Sequence, residues 1–470
     1  MTTMEVKPKK KFKFELPDTI VLLLILTLVA AILTYIIPAG EYDRVLNEAT
    51  KRQIADPNSY HLVEQKPVGI IEMFDAIPQG LIESANIMIL TLICGAVFHL
   101  VNFTGAIDAG LGSAIRSLTG KKKYILVFGL YLVSSILGLR GSAETLLPFV
   151  PMAVAACIAL GYDSIAGTGI ILIGGAAGLM NSFMSTTLII AQGIAELPPF
   201  SGLAVRVVSF FLFLIVGGIF IYFYCRKLDK DPKLSPMYDA DRSLTFKDEN
   251  NIPEFTPKRK LVLSTFGIGM ITLMACITIF TFNVAKVTTL YFILALIIGV
   301  VGGYTPNSFA KEFVNGCKSM MYGALIVGFA KSISVVMTNG MILDTITHFT
   351  SGLLDFLPAS ILSSGMMVVQ AFLSVVVPSG SGQAAVTMPI MAPLADFIGV
   401  TRQTSVLAFT LGDGIINLLT PTSGYFMAAI GISNISWSKW SKWYMPLCIA
   451  WIVLACIILS VCTAMKYGPF

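Results

Sequence analysis

Long apolar runs separated by short polar segments dominate the 470-residue chain. They include Ile20–Ile37, Ile87–Val101, Leu203–Phe223, Leu261–Phe280 and Pro446–Val461. A helix needs about 20 predominantly apolar residues to cross the hydrocarbon core of a bilayer, and several of these runs approach that length. The pattern therefore predicts an all-α, polytopic membrane protein.

The amino-acid composition supports this prediction. Hydrophobic residues make up 55% of the chain and charged residues only 13%, about half the charged fraction of a soluble domain. The net charge of +5 is explained by Lys and Arg collecting in cytoplasmic loops, so no nucleic-acid partner is expected. The eight cysteines form no Cys-x-x-Cys pair, and no His-Glu-x-x-His or Gly-x-Ser-x-Gly motif occurs. We therefore expect no cofactor and no enzymatic activity.

The charge distribution predicts the path of the chain through the membrane. The Lys-rich residues 1–17 predict a cytoplasmic N-terminal tail. The first apolar run ends in Ile37-Pro38-Ala39-Gly40, without a small-residue cleavage site, and is therefore expected to remain as a membrane helix. Nine crossings and two re-entrant hairpins place most basic residues inside. The crossings are predicted at residues 18–38, 84–104, 164–197, 202–225, 259–283, 286–303, 318–338, 402–433 and 444–464.

The first hairpin is predicted where the apolar stretch Tyr124–Leu139 is interrupted by polar residues before Leu146–Leu160. Residues 124–139 could instead form a full crossing. A re-entrant hairpin over 123–160 is favoured because it places the basic segment 226–260 in the cytoplasm. Such a polar tip at membrane depth is tolerated only where protein or a water-filled cavity surrounds it.

A second hairpin is predicted over residues 357–400, with the polar tip Pro378-Ser379-Gly380-Ser381-Gly382-Gln383. Each hairpin is followed by a crossing that contains small and polar residues. These crossings, 164–197 and 402–433, are expected to be broken helices. The sequence thus predicts two halves with the same order of elements.

A repeat relates the two halves and supports this order. An odd number of crossings separates the helix 84–104 from its mate 318–338, so the second unit is predicted to be inverted. Inverted repeats with interrupted helices are typical of secondary transporters, which bind substrate near the midplane. No Walker motif occurs, so ATP is not the expected energy source. At a constant offset of 238, Pro151 pairs with Pro389, Gly161 with Gly399, Gly174 with Gly412, Ser185 with Ser423 and Gly193 with Gly431.

The predicted organisation therefore has four parts. A cytoplasmic basic tail covers 1–17, and the first repeat covers 18–225. A cytoplasmic linker over 226–258 leads to the second, inverted repeat over 259–470. A multi-pass protein of this kind is expected in the cytoplasmic (inner) membrane of a bacterium, with its N-terminus in the cytoplasm.

The hairpin tips and helix breaks are expected to converge on one central site. Their hydroxyl and amide groups suit Na⁺ and polar ligands, and exposed helix N-termini favour a carboxylate. The predicted substrate-binding residues are Ser142, Glu144, Asn181, Ser182, Ser185, Lys331, Ser379, Ser381, Gln383, Asp413, Asn417, Thr420, Thr422 and Ser423. The candidate Na⁺ ligands among them are Asn181, Ser182, Thr420 and Thr422.

Three charges, Glu144, Asp413 and Lys331, are the most informative. A charge at the bilayer centre costs about 2.5–3.5 kcal/mol, so each of these residues is expected to have an ion-pair partner or a functional role. The carboxylates could carry a proton, coordinate Na⁺ or recognise a cationic amine or guanidinium, and Lys331 could meet a substrate carboxylate. The alternative is a structural pair, Lys331–Asp413 or Lys331–Glu144. The coupling ion, Na⁺ or H⁺, remains open.

Long motifs around the second hairpin and the following helix resemble a known family, the YfcC-like branch of the anaerobic C4-dicarboxylate carriers. Further matches occur at 17–19, 37–40, 161–164 and 191–195, so the resemblance covers nearly the whole chain. The motifs near the second hairpin are Gly380-Ser381-Gly382-Gln383-Ala384-Ala385-Val386-Thr387-Met388-Pro389, Ala392-Pro393-Leu394-Ala395-Asp396, Gly399-Val400-Thr401-Arg402-Gln403, Gly412-Asp413-Gly414 and Pro421-Thr422-Ser423.

The resemblance implies the ion transporter superfamily fold, which the aminobenzoyl-glutamate transporters share. It also implies a homodimer in the bilayer that moves a small molecule by an elevator-like motion. This branch includes proteins regarded as arginine/ornithine exchangers. Two buried acids against one buried Lys favour an amino acid, such as basic arginine or ornithine, over the alternative of a C4-dicarboxylate. The expected function is therefore secondary active transport, by exchange or ion-coupled symport.

Overall fold

The computed structural model describes residues 18–47, 52–56, 58–107, 109–110, 122–140, 142–183, 185–198, 201–241, 254–280, 282–352, 361–397 and 399–468. Most of these residues are helical. The predicted basic tail over 1–17 lies outside the described residues, as do the tip residue Gly141 and the start of the second hairpin at 357–360.

The described residues of the first half form eight helices. A 3₁₀ segment, Ala143–Phe149, joins α4 to α5. The last helix continues to Lys230 and does not end at the predicted 225, because basic side chains at a helix end can extend their charges to the membrane surface. The helices are α1 (Thr19–Ile36), α2 (Ile70–Glu83), α3 (Ala85–Phe103), α4 (Lys123–Arg140), α5 (Val150–Ala159), α6 (Ser164–Met180), α7 (Thr186–Ile194) and α8 (Leu203–Lys230).

The second half follows a 3₁₀ turn, Pro232–Leu234, and the short helix α9 (Tyr238–Asp241). Where the structure describes it, this half has ten further helices. They are α10 (Pro257–Phe280), α11 (Val284–Val301), α12 (Pro306–Ser319), α13 (Met321–Asn339), α14 (Leu343–Gly352), α15 (Leu362–Val376), α16 (Gly380–Phe397), α17 (Arg402–Ile416), α18 (Gly424–Ile432) and α19 (Trp437–Ala464).

Seven of the described helices are long and apolar enough to cross a membrane: α1, α3, α8, α10, α11, α13 and α19. The mostly helical, membrane-spanning class predicted from the sequence is therefore confirmed. The other two predicted crossings, 164–197 and 402–433, each consist of two shorter helices, α6 with α7 and α17 with α18. The count of nine crossings and the inversion of the repeat remain predictions.

Glycines let the helices of the two predicted hairpins, here called the hairpin arms, pack closely against these interrupted helices. Helices α4 and α5 both pack against α6, and α15 and α16 both pack against α17. A Cβ added to Gly174 on α6 would lie 2.6 Å from the carbonyl oxygen of Tyr131 on α4. A Cβ on Gly412, its repeat partner on α17, would lie 2.5 Å from the carbonyl oxygen of Met367 on α15. Small residues at these two points allow the backbones to approach.

Two helices that were not predicted from the sequence, α2 and α12, pack across the two halves. Helix α2 packs on α13, and a Cβ on Gly80 would lie 2.6 Å from the carbonyl oxygen of Gly328. Helix α12 packs on α3, and a Cβ on Gly316 would lie 2.5 Å from the Cα of Ala96. Their charged residues lower the mean hydropathy, so a search for long apolar runs misses them.

The polar segment 39–68 carries two small antiparallel sheets. Strand β1 (Gly40–Glu41) pairs with β4 (His61–Leu62), and β2 (Arg44–Asn47) pairs with β3 (Arg52–Ala55). The Asp344 carboxylate on α14 accepts hydrogen bonds from Nη2 of the Arg44 side chain at 2.8 Å and 2.9 Å. These contacts fasten the strands to the second half of the protein.

Candidate functional site

The first helix break, between α6 and α7, is held by serine side chains. Ser182 is fully buried, and its Oγ donates a hydrogen bond to the carbonyl oxygen of Leu139 at 2.6 Å. The same Oγ accepts the backbone N–H of Ser185 at 2.9 Å. Ser185 in turn accepts the N–H of Leu188 at 3.2 Å and so begins α7. The break is therefore tied to the end of hairpin arm α4.

The second break, between α17 and α18, contains paired threonines. The hydroxyl oxygens of Thr420 and Thr422 are 2.8 Å apart. Thr422 Oγ1 donates to the carbonyl oxygen of Val375 at 2.8 Å. The second break is therefore tied to hairpin arm α15, as the first is tied to α4.

Aromatic side chains of α19 satisfy carbonyl groups at this second break. An interrupted helix leaves carbonyl oxygens without helical partners, and these must find other donors. Two indole N–H groups and one phenol supply them. The pairs are Trp437 with Leu419 at 2.8 Å, Trp440 with Leu418 at 2.7 Å, and Tyr444 with Ile415 at 3.0 Å.

Asp413, in the last turn of α17, is held on one side and open on the other. Its Oδ1 accepts hydrogen bonds from Ser374 Oγ and from Asn417 Nδ2, both at 2.7 Å. Its Oδ2 faces the second tip, 3.2 Å from where a Cβ on Gly380 would lie. Within the described part of the chain no basic side chain pairs with it. The carboxylate is thus oriented but not neutralised.

The second hairpin tip lies beside the first half of the chain. The position of a Cβ on Gly380 is 3.3 Å from Oγ1 of Thr187 on α7. Ser379 is exposed and its Oγ accepts the N–H of Gly382 at 3.4 Å, while Ser381 is partly buried. The tip and Asp413 therefore meet α7.

Gln383 points away from this tip and joins the two hairpin arms. Its Nε2 donates to the backbone oxygen of Gln370 at 2.7 Å and to Gln370 Oε1 at 2.8 Å. Thr387 Oγ1 also donates to Gln370 Oε1, at 3.1 Å. This buried network connects α15 with α16, and neither Gln370 nor Thr387 was among the predicted residues.

The first tip carries Ser142 and Glu144. The carbonyl of Ser142 accepts the N–H and the hydroxyl of Thr145, at 3.1 Å and 2.6 Å, while its side chain is exposed. Glu144 is partly buried and makes no hydrogen bond or ion pair with any residue that the structure describes. The segment Ala143–Phe149, which carries Glu144, packs against α18. The first tip therefore lies beside the helix that follows the second break.

Lys331 forms an ion pair that the sequence did not predict. Its Nζ lies 3.3 Å from Glu83 Oε2, and both side chains are partly exposed. The alternative of a structural pair between Lys331 and Asp413 or Glu144 is therefore wrong, since the partner is Glu83. The reason is helix α2, which packs on α13 and supplies the carboxylate of Glu83.

Arg206 on α8 is the charged residue that the sequence-based prediction missed. It is only 2% exposed. Its Nη1 donates to the carbonyl oxygen of Ser182 at 3.4 Å and to Thr410 Oγ1 at 3.3 Å, and its Nη2 has no partner among the described residues. A single arginine inside the apolar run Leu203–Phe223 was the available signal, since charges in such runs need a task.

Several buried polar atoms near the breaks have no hydrogen-bond partner in the described part of the protein. Buried polar groups are nearly always paired in proteins, so these atoms are candidate ligand contacts. Of the candidate Na⁺ ligands, Asn181 has such a free oxygen, whereas Ser182, Thr420 and Thr422 have hydroxyls that are engaged internally. The unpaired atoms are Asn181 Oδ1, Asn417 Oδ1, Gln383 Oε1, Ser423 Oγ and Arg206 Nη2.

A polytopic helical protein that gathers broken helices and scarce charges in its interior has the organisation of a membrane transporter. The family model of the C4-dicarboxylate anaerobic carriers matches residues 16–464. The chain is 30% identical over 479 residues to an Escherichia coli (strain K12) protein, YfcC, provisionally named a basic amino acid antiporter. The alignment covers 93% of this chain and 94% of YfcC. The chain belongs to the C4-dicarboxylate anaerobic carrier family, and the predicted resemblance is confirmed.

Further comparisons also cover nearly the whole chain. An uncharacterized protein of Haemophilus influenzae (strain ATCC 51907 / DSM 11121 / KW20 / Rd) is 27% identical, over 96% of this chain and 98% of that protein. Among solved structures, the Alcanivorax borkumensis YdaH transporter matches with a TM-score of 0.44 and 16% identity, over 96% of this chain and 100% of that chain. Neisseria gonorrhoeae MtrF matches with a TM-score of 0.41 and 16% identity, over 95% of each chain.

Proposed function

We propose that this membrane transporter exchanges basic amino acids, such as arginine and ornithine, across the inner membrane. The provisional name of the Escherichia coli relative supports the substrate class. The charges of the candidate site support it independently. The proposal includes the homodimer, the elevator-like motion and the cytoplasmic N-terminus that the family resemblance and the charge pattern imply.

The charges of the site complement those of a basic amino acid. Arginine at neutral pH carries an α-ammonium group, a guanidinium group and one carboxylate. Asp413 and Glu144 offer two negative charges, and Arg206 offers one positive charge beside the first break. Charge complementarity of this kind gives specificity, because the wrong partner meets like charge. We infer that the two acids receive the cationic groups and that Arg206 receives the carboxylate.

The observation that carries this proposal is the state of Asp413. Ser374 and Asn417 fix one carboxylate oxygen, and the other faces the tip glycine Gly380 without a basic partner among the described residues. A cationic substrate at the tip would supply the missing counter-charge. When the substrate leaves, a proton or Na⁺ could replace it. This replacement is one physical basis for coupling substrate transport to the movement of an ion.

Arg206 is enclosed in this conformation, so a substrate carboxylate would reach it only after the first break separates from α17. Its two hydrogen bonds, to Ser182 and Thr410, are long, at 3.4 Å and 3.3 Å. Long contacts to neutral groups leave most of the guanidinium charge unbalanced. Moving the break would therefore cost few strong interactions.

The alternative substrate is a C4-dicarboxylate, which the family name describes. A dianion would meet Arg206 but would also meet Asp413 and Glu144. Lys331, which could have added positive charge, is paired with Glu83. The charges of the described site therefore favour the cationic substrate.

Transport by purified protein in proteoliposomes tests the proposal. Vesicles loaded with arginine or ornithine should take up labelled arginine, whereas empty vesicles and vesicles loaded with succinate should not. Repeating the assay with imposed Na⁺ or pH gradients separates exchange from ion-coupled symport. Uptake of labelled succinate or fumarate, without uptake of arginine under any gradient, would overturn the proposed substrate class.

A further inference from the structure

A cavity of about 470 Å³ shares no lining residue with the candidate transport site. Its walls come from the end of α3, the start of α10 and the turn between α11 and α12. This volume lies within the range of about 300–1,000 Å³ that is usual for small-ligand pockets. The lining residues are Phe103, Thr104, Thr256, Lys258, Arg259, Val262, Gly302, Gly303, Tyr304, Thr305 and Ser308.

The cavity carries two positive charges and no carboxylate among the described residues that line it. Lys258 makes no ion pair with the described part of the chain. Its Nζ lies 2.7 Å from where a Cβ on Gly303 would lie, and Gly303 has a φ of +69°. The positive φ favours glycine, and its lack of a Cβ leaves room for the flexible end of the Lys258 side chain. The Lys258 ammonium therefore lies against this turn.

Arg259 is oriented into the same cavity by backbone carbonyl groups. Its Nε donates to the carbonyl oxygen of Thr104 at 3.1 Å, and its Nη1 donates to that of Glu254 at 2.8 Å. Carbonyl groups orient a guanidinium without cancelling its charge. The nearby acid Glu312 is already bound to His99 at 2.9 Å. Arg259 and Lys258 thus leave about two positive charges for a ligand.

Hydroxyl groups complete a site for phosphate oxygens. Five hydroxyls line the wall, those of Thr104, Thr256, Tyr304, Thr305 and Ser308. Two of them already donate to backbone carbonyl oxygens, Thr104 to Val101 and Tyr304 to Leu100, both at 2.7 Å. Helix α12 starts at this wall, which adds a modest attraction for negative charge. The hydroxyls of Thr256, Thr305 and Ser308 and the two cations can donate to phosphate oxygens, so the lining suits a phosphate group better than a cation.

Exposed apolar side chains lie on the helix ends that form the cavity. Phe103 in the lining is 60% exposed, and Leu261 and Val300, on the adjoining helices α10 and α11, are 57% and 81% exposed, as expected for helix ends that meet lipid. Basic pockets between membrane helices at the cytoplasmic surface are suited to acidic lipid headgroups. We infer that this cavity binds a phosphate group, presented by the headgroup of an acidic phospholipid.

Lys258 and Lys260 form a matched pair for the test. Both are exposed basic residues in the first turn of α10. Lys258 lines the cavity, whereas the Lys260 ammonium lies over the ring of Phe255 and does not. Lys258→Gln and Lys260→Gln therefore remove the same charge from the same helix end.

Native mass spectrometry of the purified full-length protein, titrated with phosphatidylglycerol or phosphatidylcholine, measures lipid binding. We expect wild type and Lys260→Gln to retain phosphatidylglycerol over phosphatidylcholine. Lys258→Gln should bind phosphatidylglycerol about fivefold more weakly, the equivalent of ~1 kcal/mol per basic residue at a membrane surface. A parallel titration with inorganic phosphate distinguishes a soluble phosphate ligand, which would bind wild type and not Lys258→Gln.

Equal weakening by both substitutions, or equal binding of the two lipids by wild type, would overturn the inference. The melting temperature of each variant in detergent provides the folding control. Because the cavity shares no residue with the candidate transport site, this result stands apart from the outcome of the transport assays.

Discussion

Ser374 Oγ donates a 2.7 Å hydrogen bond to Asp413 Oδ1 and so joins a hairpin arm to the interrupted helix α17. Together with Asn417 it leaves the other carboxylate oxygen facing the hairpin tip. An acid held in this way is positioned for a ligand that arrives at the tip. The interior of the protein is therefore organised around a charge that its own described residues do not balance.

The first prediction concerns the charge of Asp413. Asp413→Asn keeps the shape of the side chain but removes the charge, and we expect exchange of arginine to fall at least about tenfold. Removing one partner of a buried charge pair costs about 2–5 kcal/mol. Ser374→Ala is the matched control, because it removes only a hydrogen bond of about 1 kcal/mol. Similar initial rates of exchange for wild type and Asp413→Asn would show that the charge has no role in binding.

The second prediction assigns a carboxylate partner to Arg206. Agmatine is arginine without its carboxylate, so it should compete with labelled arginine more weakly than unlabelled arginine does in wild type. In Arg206→Met the two competitors should become nearly equal, because the guanidinium that distinguishes them is absent. Arg206→Lys should keep part of the difference, since lysine retains the charge but not the planar fork.

Inhibition constants for both competitors provide this measurement. If the ratio of the inhibition constants of agmatine and arginine is the same in Arg206→Met as in wild type, Arg206 does not bind the substrate carboxylate. Thermal stability should not fall greatly in that variant, since replacing a buried and poorly paired charge by an apolar group is often neutral.

The third prediction concerns Lys331, which is paired with Glu83 at 3.3 Å. Because this pair is partly exposed, we expect Lys331→Met and Glu83→Gln each to lower stability by about 1 kcal/mol or less. The double variant should cost less than the sum of the single variants. Denaturation in detergent measures the coupling energy between Lys331 and Glu83. If Lys331→Met loses arginine exchange while Glu83→Gln does not, Lys331 would instead act in the substrate site.

The fourth prediction is a pH dependence at Asp163, which precedes α6. Burial raises the pKa of Asp163 above its ordinary value, although hydrogen bonds from Tyr224, Ser235 and the Ala166 N–H favour the charged form. The folded protein therefore holds the proton more tightly than the unfolded chain does. Stability should fall as pH rises from the ordinary pKa of 3.8 through the raised pKa.

Asp163→Asn can still cap α6 but does not titrate, so it should show a weaker fall in stability over this range. The measurement is the melting temperature in detergent between about pH 4 and about pH 7, which spans the ordinary carboxyl range. If the melting temperatures of wild type and variant change with pH in parallel, titration of Asp163 does not contribute to the pH dependence of stability.

The sequence predicted the membrane class, the family and most of the polar residues near the helix breaks, because runs of apolar residues and scarce charges are visible without a structure. Helices α2 and α12 could not be found in this way, since their stabilisation comes from packing on α13 and α3. The partner of Lys331 was missed for the same reason. The packing of the first tip against α18 also depends on tertiary structure, which no local pattern encodes.

The most direct test of the account is competition by citrulline, the analogue of arginine whose side chain ends in an uncharged ureido group. If Asp413 and Glu144 bind the two cationic groups, citrulline should inhibit arginine exchange much more weakly than ornithine does. Asp413→Asn or Glu144→Gln should reduce this preference while Ser142→Ala preserves it. Equal inhibition by citrulline and ornithine in wild-type proteoliposomes, or inhibition by succinate alone, would contradict recognition of a cationic amino acid.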